Sequence, residues 1–530
     1  MARYAKLFSM GGGAGNGTLQ LENNQLMDST LRFVTDNLNT KSVLRLSTIS
    51  VTNYGAGNIS TNTVFGDQSL LNNTTGANNT ALGYRSLRAN TSGTQNAAVG
   101  VDALLSNTTA SDNIALGYSA LSANTTGVQN IAIGSIALQT NTTGSQNIGI
   151  GHGALLLNTL GSNNTAIGWV AGVANTTGFN NTSIGKTAGR LNQTGAYNTN
   201  IGGDAGYSNL SSNSNTAIGH SALYLNTGAL NTAVGTSAMQ NATTGANNVA
   251  IGVESLFSNT ASNNTAVGYR AGYSNTSGEV TAVGYLTLKS NTTGLENTGI
   301  GNQSLPANTT GSYNTGCGNG SLFQNTTGNY NTAIGVGSML RNISGNTNVG
   351  LGVNSLLNNS SGSSNIGIGF YASQANTAGS NNIAIGENAL YNNTASNNVA
   401  IGYAAGGSNT SGAVTSVGYQ SSYNNTTGDI TAFGYQAGYS NTTGIYNTAL
   451  GGQSLRQNST GQYNTAVGGD AMRFNTTGLY NTAVGAFALT SNTTSSTNTA
   501  IGYQAGYNNT TGSITAIGFQ AGLSNTTGTL

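Results

Sequence analysis

From Gly66 to Gly518 the hydrophobic and polar positions follow one short phrase, roughly N-T-A-I-G-x-x-A-L-x-x-N-T-T-G-x-x. Taking the glycine of each A-I-G-like triplet as position zero gives 28 marks, separated by twenty intervals of 17 residues and seven of 16. Position −1 is aliphatic except at Phe65, Cys317 and Phe433; −3 is Thr, Val or Ile almost throughout, and −2 is nearly always Ala, Gly or Ser. That alternation has period two and predicts a short β-strand with −1 and −3 facing one way. Glycine at zero predicts a bend or a close backbone approach at a corner. Beyond it, +3 is Ala or Ser in every repeat but one (Thr287), and +4 is usually Leu, as at Leu87, Leu104, Leu121 and Leu138, or otherwise mostly Gly. These two positions read as a second short strand. Asn at +7, lost only at Ala242, opens an N-T-T-G-like turn built from residues that tolerate left-handed conformations.

Asn also holds −4 in all but four repeats, where Val280, Val414, Ile430 and Ile514 stand. All four departures fall in intervals of 16, so turn length and strand entry are coupled. A polar residue repeated so strictly suits amide ladders, each side chain bonding its counterpart a coil away. Asn124, Asn130, Asn141 and Asn147 represent the two expected ladders.

A period this short predicts an all-β chain, a parallel β-solenoid or β-roll of about 28 coils. With −1, −3 and the +4 Leu taken as its core, one coil buries little apolar surface. Three chains, intertwined or side by side, would share a central aliphatic column, so a homotrimeric fibre is expected. At ~4.8 Å per coil its shaft, residues 61–530, would run roughly 130 Å. Residues 1–60 do not keep the repeat; Leu19–Leu46 has a strand-like alternation, and five of the fourteen basic residues lie here. This segment is expected to attach the fibre to a baseplate or neighbouring subunit, to cap the first coil, or both.

Charged residues make up 5% of the chain and the net charge is +1, against about 25% charged residues in ordinary soluble proteins. No basic run suggests nucleic-acid or electrostatic membrane binding. Cys317, one residue before Gly318, reads as a buried small hydrophobe. No stretch approaches a transmembrane helix, and Met1–Gly13 lacks the apolar run of a secretory signal. The expected location is therefore one reached by assembly or lysis. His152 and His220, both at +1, stand four coils or ~19 Å apart, too far to share a metal. Acidic residues at +2 (Asp102, Asp204, Glu254, Asp470) are likewise coils apart. No catalytic set, cofactor or metal site is expected, and the N-x-[ST] triplets read as turn chemistry.

The aromatics carry the candidate binding chemistry. Tyr403, Tyr419, Tyr435 and Tyr503 belong to a line of rings at +1, and Tyr313, Tyr330, Tyr446, Tyr463 and Tyr480 to another just before the −4 Asn. Turns in register suit aromatic ladders first of all; such rings beside Asn and Thr also suit sugars, by stacking and hydrogen bonding.

The N-T-A-I-G, A-L and N-T-T-G phrases resemble the repeats of tail fibres of tailed bacteriophages, particularly cyanophages, over about 470 of the 530 residues. Val43-Leu44-Arg45-Leu46-Ser47-Thr48 through Asn62-Thr63-Val64-Phe65-Gly66-Asp67-Gln68-Ser69-Leu70 looks like the entry to such arrays. The resemblance implies a non-enzymatic virion fibre mediating host-cell attachment, with a surface receptor or polysaccharide as partner. The A-I-G-x-x-A phrase is also similar to the shorter head repeats of trimeric autotransporter adhesins, which are left-handed parallel β-rolls. That leaves a bacterial extracellular fibril or adhesin as the alternative. Two family features are not visible: the globular tip or self-cleaving chaperone that commonly ends tail fibres, and the signal and anchor of autotransporters.

Overall fold

The computed structural model describes residue 59 and residues 61–527, together with the backbone of three strands nearer the N-terminus. These are β1 (Gln20–Leu21), β2 (Arg32–Thr35) and β3 (Lys41–Leu46), an antiparallel sheet in that order. The attachment or capping role expected of residues 1–60 otherwise falls outside the described residues. The chain divides into two units, residues 1–237 and 238–530. Both are parallel β-solenoids, and there is no helix among the described residues. The first carries eleven coil strands, from β4 (Thr63–Phe65) to β14 (Thr232–Val234); the second carries seventeen, from β15 (Val249–Ile251) to β31 (Thr515–Ile517). Within each unit a strand pairs in parallel with the next at the same phase, as in Thr165↔Thr182 and Ile366↔Ile383.

The strand faces are reversed from expectation. Along Ile131–Ile133 the middle residue is buried and its neighbours are half-buried; along Ile114–Leu116 the flanking residues are exposed. Ala at −2 therefore points inward, and −1 and −3 form the outer face. The cause is the depth of the coil. At Gly149 an added β-carbon would already lie 3.2 Å from Leu138 Cγ and from Ala154 O, so at −2 the interior takes one small side chain in most coils, Val64 of the first coil being the β-branched exception. The core is instead Ala at −2, Ala or Ser at +3 and Leu or Met at +4, as in the buried set Ala132, Ala137 and Leu138. Each such Leu contributes about 1.5–3 kcal/mol. A single chain thus closes its own core, which removes the argument that a thin core demands three chains. Cys317, at −1, is half-buried rather than buried.

Packing is compensated inside the coil. Asn200 occupies −2, where most coils have Ala, and is buried. Gly206 stands at +4 on the same coil, where a β-carbon would clash with Asn200 Oδ1. The larger polar side chain fills the space that a Leu fills elsewhere.

Positions +3 and +4 are not a second strand. They lie in a turn whose +2 and +4 residues are left-handed, for example Arg85 (φ 55°) and Leu87 (φ 52°). Alternating the sign of φ turns successive amides along opposite axial directions. Arg85 donates its N–H to Asp67 O on the preceding coil (2.9 Å), and Leu87 donates to Ala103 O on the following one (2.9 Å). The turn is thereby hydrogen-bonded to the coils on both sides, offsetting about 1 kcal/mol of strain at each non-glycine left-handed residue. Where +4 is Gly, as at Gly172 (φ 56°), the same conformation is kept without a core side chain.

Both asparagine ladders are present. Asn141 Nδ2 donates to Asn124 Oδ1 (2.9 Å) and to Gly144 O (2.9 Å). In the −4 column Asn147 donates its N–H (3.0 Å) and its Nδ2 (3.1 Å) to Asn130 Oδ1. Asn130 Nδ2 also reaches Gly144 O, at 2.9 Å. The ladders therefore converge on one turn carbonyl per coil. In the 16-residue coils that lose the −4 Asn, Val414 is buried and donates only its N–H to Asn398 Oδ1, at 2.7 Å. An aliphatic side chain there replaces the amide and extends the strand to Val414–Val417.

Three substitutions test this frame. Asn141→Ala leaves Asn124 Oδ1 without a partner and Asn158 Nδ2 with only its bond to Gly161 O, in a fully buried column. It should cost roughly 2–4 kcal/mol of local stability, read as faster amide exchange in the coils around 124–161; unchanged exchange would remove the ladder's structural role. At Gly134 (φ +132°) a β-carbon would meet Gly151 O at 2.5 Å, whereas at Gly469 it meets nothing within 4 Å. Gly134→Ala should therefore destabilise its coils by at least ~1–3 kcal/mol while Gly469→Ala stays within ~1 kcal/mol of the parent, both measured by the same exchange experiment.

Candidate functional site

Since each residue meets its own phase one coil away, the surface is organised in columns. On the outer sheet face the −1 column presents Ile334, Leu351 and Ile401 at 41%, 43% and 38% exposure in the second unit, and Leu82 and Leu116 in the first. Thr mostly fills −3 beside it.

The +1 column follows the corner glycine. Tyr403, Tyr419 and Tyr435 stack on consecutive coils, with ring centroids 5.2 and 5.4 Å apart and planes within 13°. All three are exposed. Tyr503 is not part of that stack: Gly452, Gly469 and Ala486 occupy the intervening +1 positions, and it stacks instead on Phe519 at 5.6 Å. On the other flank of the strand Tyr446, Tyr463 and Tyr480 form a second stack, at 5.2 and 5.0 Å. The rings thus do form ladders, while their edges and outer faces remain open to solvent. Asn124, Asn130, Asn141 and Asn147 are fully buried and present nothing to a ligand.

A third column, at +5, was not identified from sequence. It contains the stacked pairs Tyr207–Tyr224 (4.8 Å), Phe257–Tyr273 (5.0 Å) and Tyr423–Tyr439 (5.6 Å). It is extended by guanidinium groups, Arg190 over Tyr207 (5.3 Å) and Arg456 over Tyr439 (5.6 Å). The signal was available, because aligning the repeats by phase places these aromatics in one file just as it does at +1.

Charges pair between coils with opposite sign. Arg85 makes a bidentate bridge to Asp102, with Nε–Oδ1 and Nη2–Oδ2 both 2.7 Å. Arg270 Nε meets Glu254 Oε2 at 2.5 Å. The hydrogen bond that Arg85 donates to Asp102 raises its pKa, and the one that Arg270 donates to Glu254 raises that of Arg270. Among the described residues no three His, Cys, Asp or Glu gather as a metal site, and no helix is long and apolar enough to cross a membrane. His152 and His220 remain separate positions in the +1 column. What the arrangement offers chemically is stacking, amide hydrogen bonding and apolar contact, repeated along the coils.

No family model, no curated protein and no solved structure matches this chain.

Proposed function

We propose that this chain is a non-enzymatic structural fibre of a tailed-phage virion, assembled as a homotrimer and serving host-cell attachment. The observation that carries the reading is the uncovered outer face. In the second unit, seventeen strands stacked at ~4.8 Å and about 10 Å long give a face of roughly 800 Å². The aliphatic −1 column is about half of it, with Thr mostly filling the rest, and the whole face matches the ~800 Å² per partner of a standard interface. The −1 column that the sequence suggested would lie inside each coil is thus available to hold three chains together from outside. A near-absence of charge on that face favours a copy of the same chain over a charged partner.

The phage assignment rests on the N-T-A-I-G, A-L and N-T-T-G phrases. Contact with a host receptor or polysaccharide through Tyr403, Tyr419, Tyr435 and Tyr503 is part of the same proposal, multiplied by three chains and by many coils. Residues 1–60 would dock the fibre to the virion.

Sedimentation equilibrium should give three times the 53.2 kDa of the chain. The double substitution Ile334→Asp, Leu351→Asp alters two outward, register-paired residues. It should shift mass toward the monomer and leave the β circular-dichroism signal intact. A monomeric parent chain would overturn the assembly, and absence of the chain from purified virions by mass spectrometry would overturn the phage role.

A further inference from the structure

The second unit contains a cleft of about 450 Å³ that spans four successive coils between Phe370 and Tyr423. This volume falls within the 300–1,000 Å³ range of small-ligand sites. Its origin is a break in the +5 aromatic column. Tyr391 and Tyr423 hold that position two coils apart, and the coil between them carries Gly407. Their backbones are therefore ~9.6 Å apart, twice the 4.8 Å separation of the Tyr207 and Tyr224 rings. Tyr423 leans toward Gly407, where a β-carbon would lie 3.2 Å from its Cδ2 and Cε2, and its other face stacks on Tyr439. Tyr391 is held edge-on by Tyr371, at 6.1 Å and 88°. No ring stands between the two tyrosines. Tyr403 forms a side wall and is the first ring of its own stack, because the preceding +1 residue is Glu387, which does not line the cleft.

The remaining chemistry is amide. Asn388 and Asn392 enter from one coil, and Gln420 from another. Gln420 Oε1 accepts from Gln436 Nε2 at 3.0 Å, which orients its own amide N–H groups as donors. None of the lining residues is charged. A phosphate, sulfate or carboxylate ligand calls for cationic donors, and a purely apolar ligand makes no use of the three amides. A molecule with a C–H face for aromatic rings and hydroxyls for amides satisfies both halves of the cleft.

We infer that this cleft binds a neutral oligosaccharide, one pyranose taking the space between the Tyr391 ring and the Tyr423 ring that leans over Gly407. The inference rests on the adhesive reading above and names its ligand class. Full-length protein applied to a printed array of neutral and anionic glycans should bind at least one neutral oligosaccharide. Gly407→Tyr places at +5 the residue found at Tyr391 and Tyr423; with the Tyr423 ring displaced by a few tenths of an ångström to admit its β-carbon, it should fold and, by closing the cleft, weaken that binding at least tenfold. Tyr391→Ala should weaken it similarly, whereas Tyr207→Ala, in the other unit, should not. Circular dichroism confirms folding of each variant. Absence of any neutral-glycan binding, preference for anionic glycans, or undiminished binding by Gly407→Tyr overturns the inference. Sedimentation of the same samples reports assembly separately: a monomer that binds glycan overturns the trimer alone, and a trimer that binds none overturns the cleft alone.

Discussion

Axial self-contact governs this protein. Backbone hydrogen bonds run from coil to coil through both the strand and the left-handed turn, so each side chain has its own phase as nearest axial neighbour. Only side chains that pair well with themselves can then be repeated. Asn does so because an amide is donor at one end and acceptor at the other. Tyr does so by offset stacking, and Ile or Val by apolar contact. Lys, Arg, Asp and Glu do so poorly, since two like charges ~4.8 Å apart repel by about 1 kcal/mol even in bulk water; Glu279–Glu296 and Arg456–Arg473 are exceptions on consecutive coils. The 5% charged content follows from this geometry, and so does the alternation of sign at Arg85–Asp102 and Glu254–Arg270.

The same constraint decides what was legible in the sequence. The solenoid, the coil length, the corner glycine and the Asn ladders are periodic features, and period alone locates them. Which strand face turns inward is not periodic information, because reversing the faces leaves the alternation at −3, −2 and −1 unchanged. It is settled by volume: Leu138 and the turn backbone approach the −2 position so closely that Ala or Gly alone suits it in most coils. Ile at −1 looks like core by hydropathy and is surface by geometry. The +4 leucines mislead in the opposite way, since a buried Leu with φ near +50° contradicts the usual link between left-handed backbone and Gly or Asn. Only the coils with Gly at +4 hint at that conformation.

The candidate site was legible in part for the same reason. Tyr403, Tyr419 and Tyr435 were found because they repeat, and Tyr503 was grouped with them by phase although three non-aromatic coils separate it from their stack. The cleft at Gly407 is the reverse case, defined by one failure of repetition. Interruptions of a column, rather than the column itself, give a repetitive surface its local individuality: Asn200 opposite Gly206 inside the coil, and Gly407 between tyrosines outside it.

The register-true pairing of one coil with the next also bears on inheritance. Within either unit a 17-residue coil presents the same glycine corner, the same turn carbonyl and the same two amides to the coil before it and the coil after it. Excising or duplicating one whole repeat between 17-residue coils therefore creates a junction that keeps the same corner, turn and Asn-ladder bonds. Unequal crossing-over between near-identical gene segments would change the number of coils without a folding penalty. Length is thus the trait that such a gene can vary most freely.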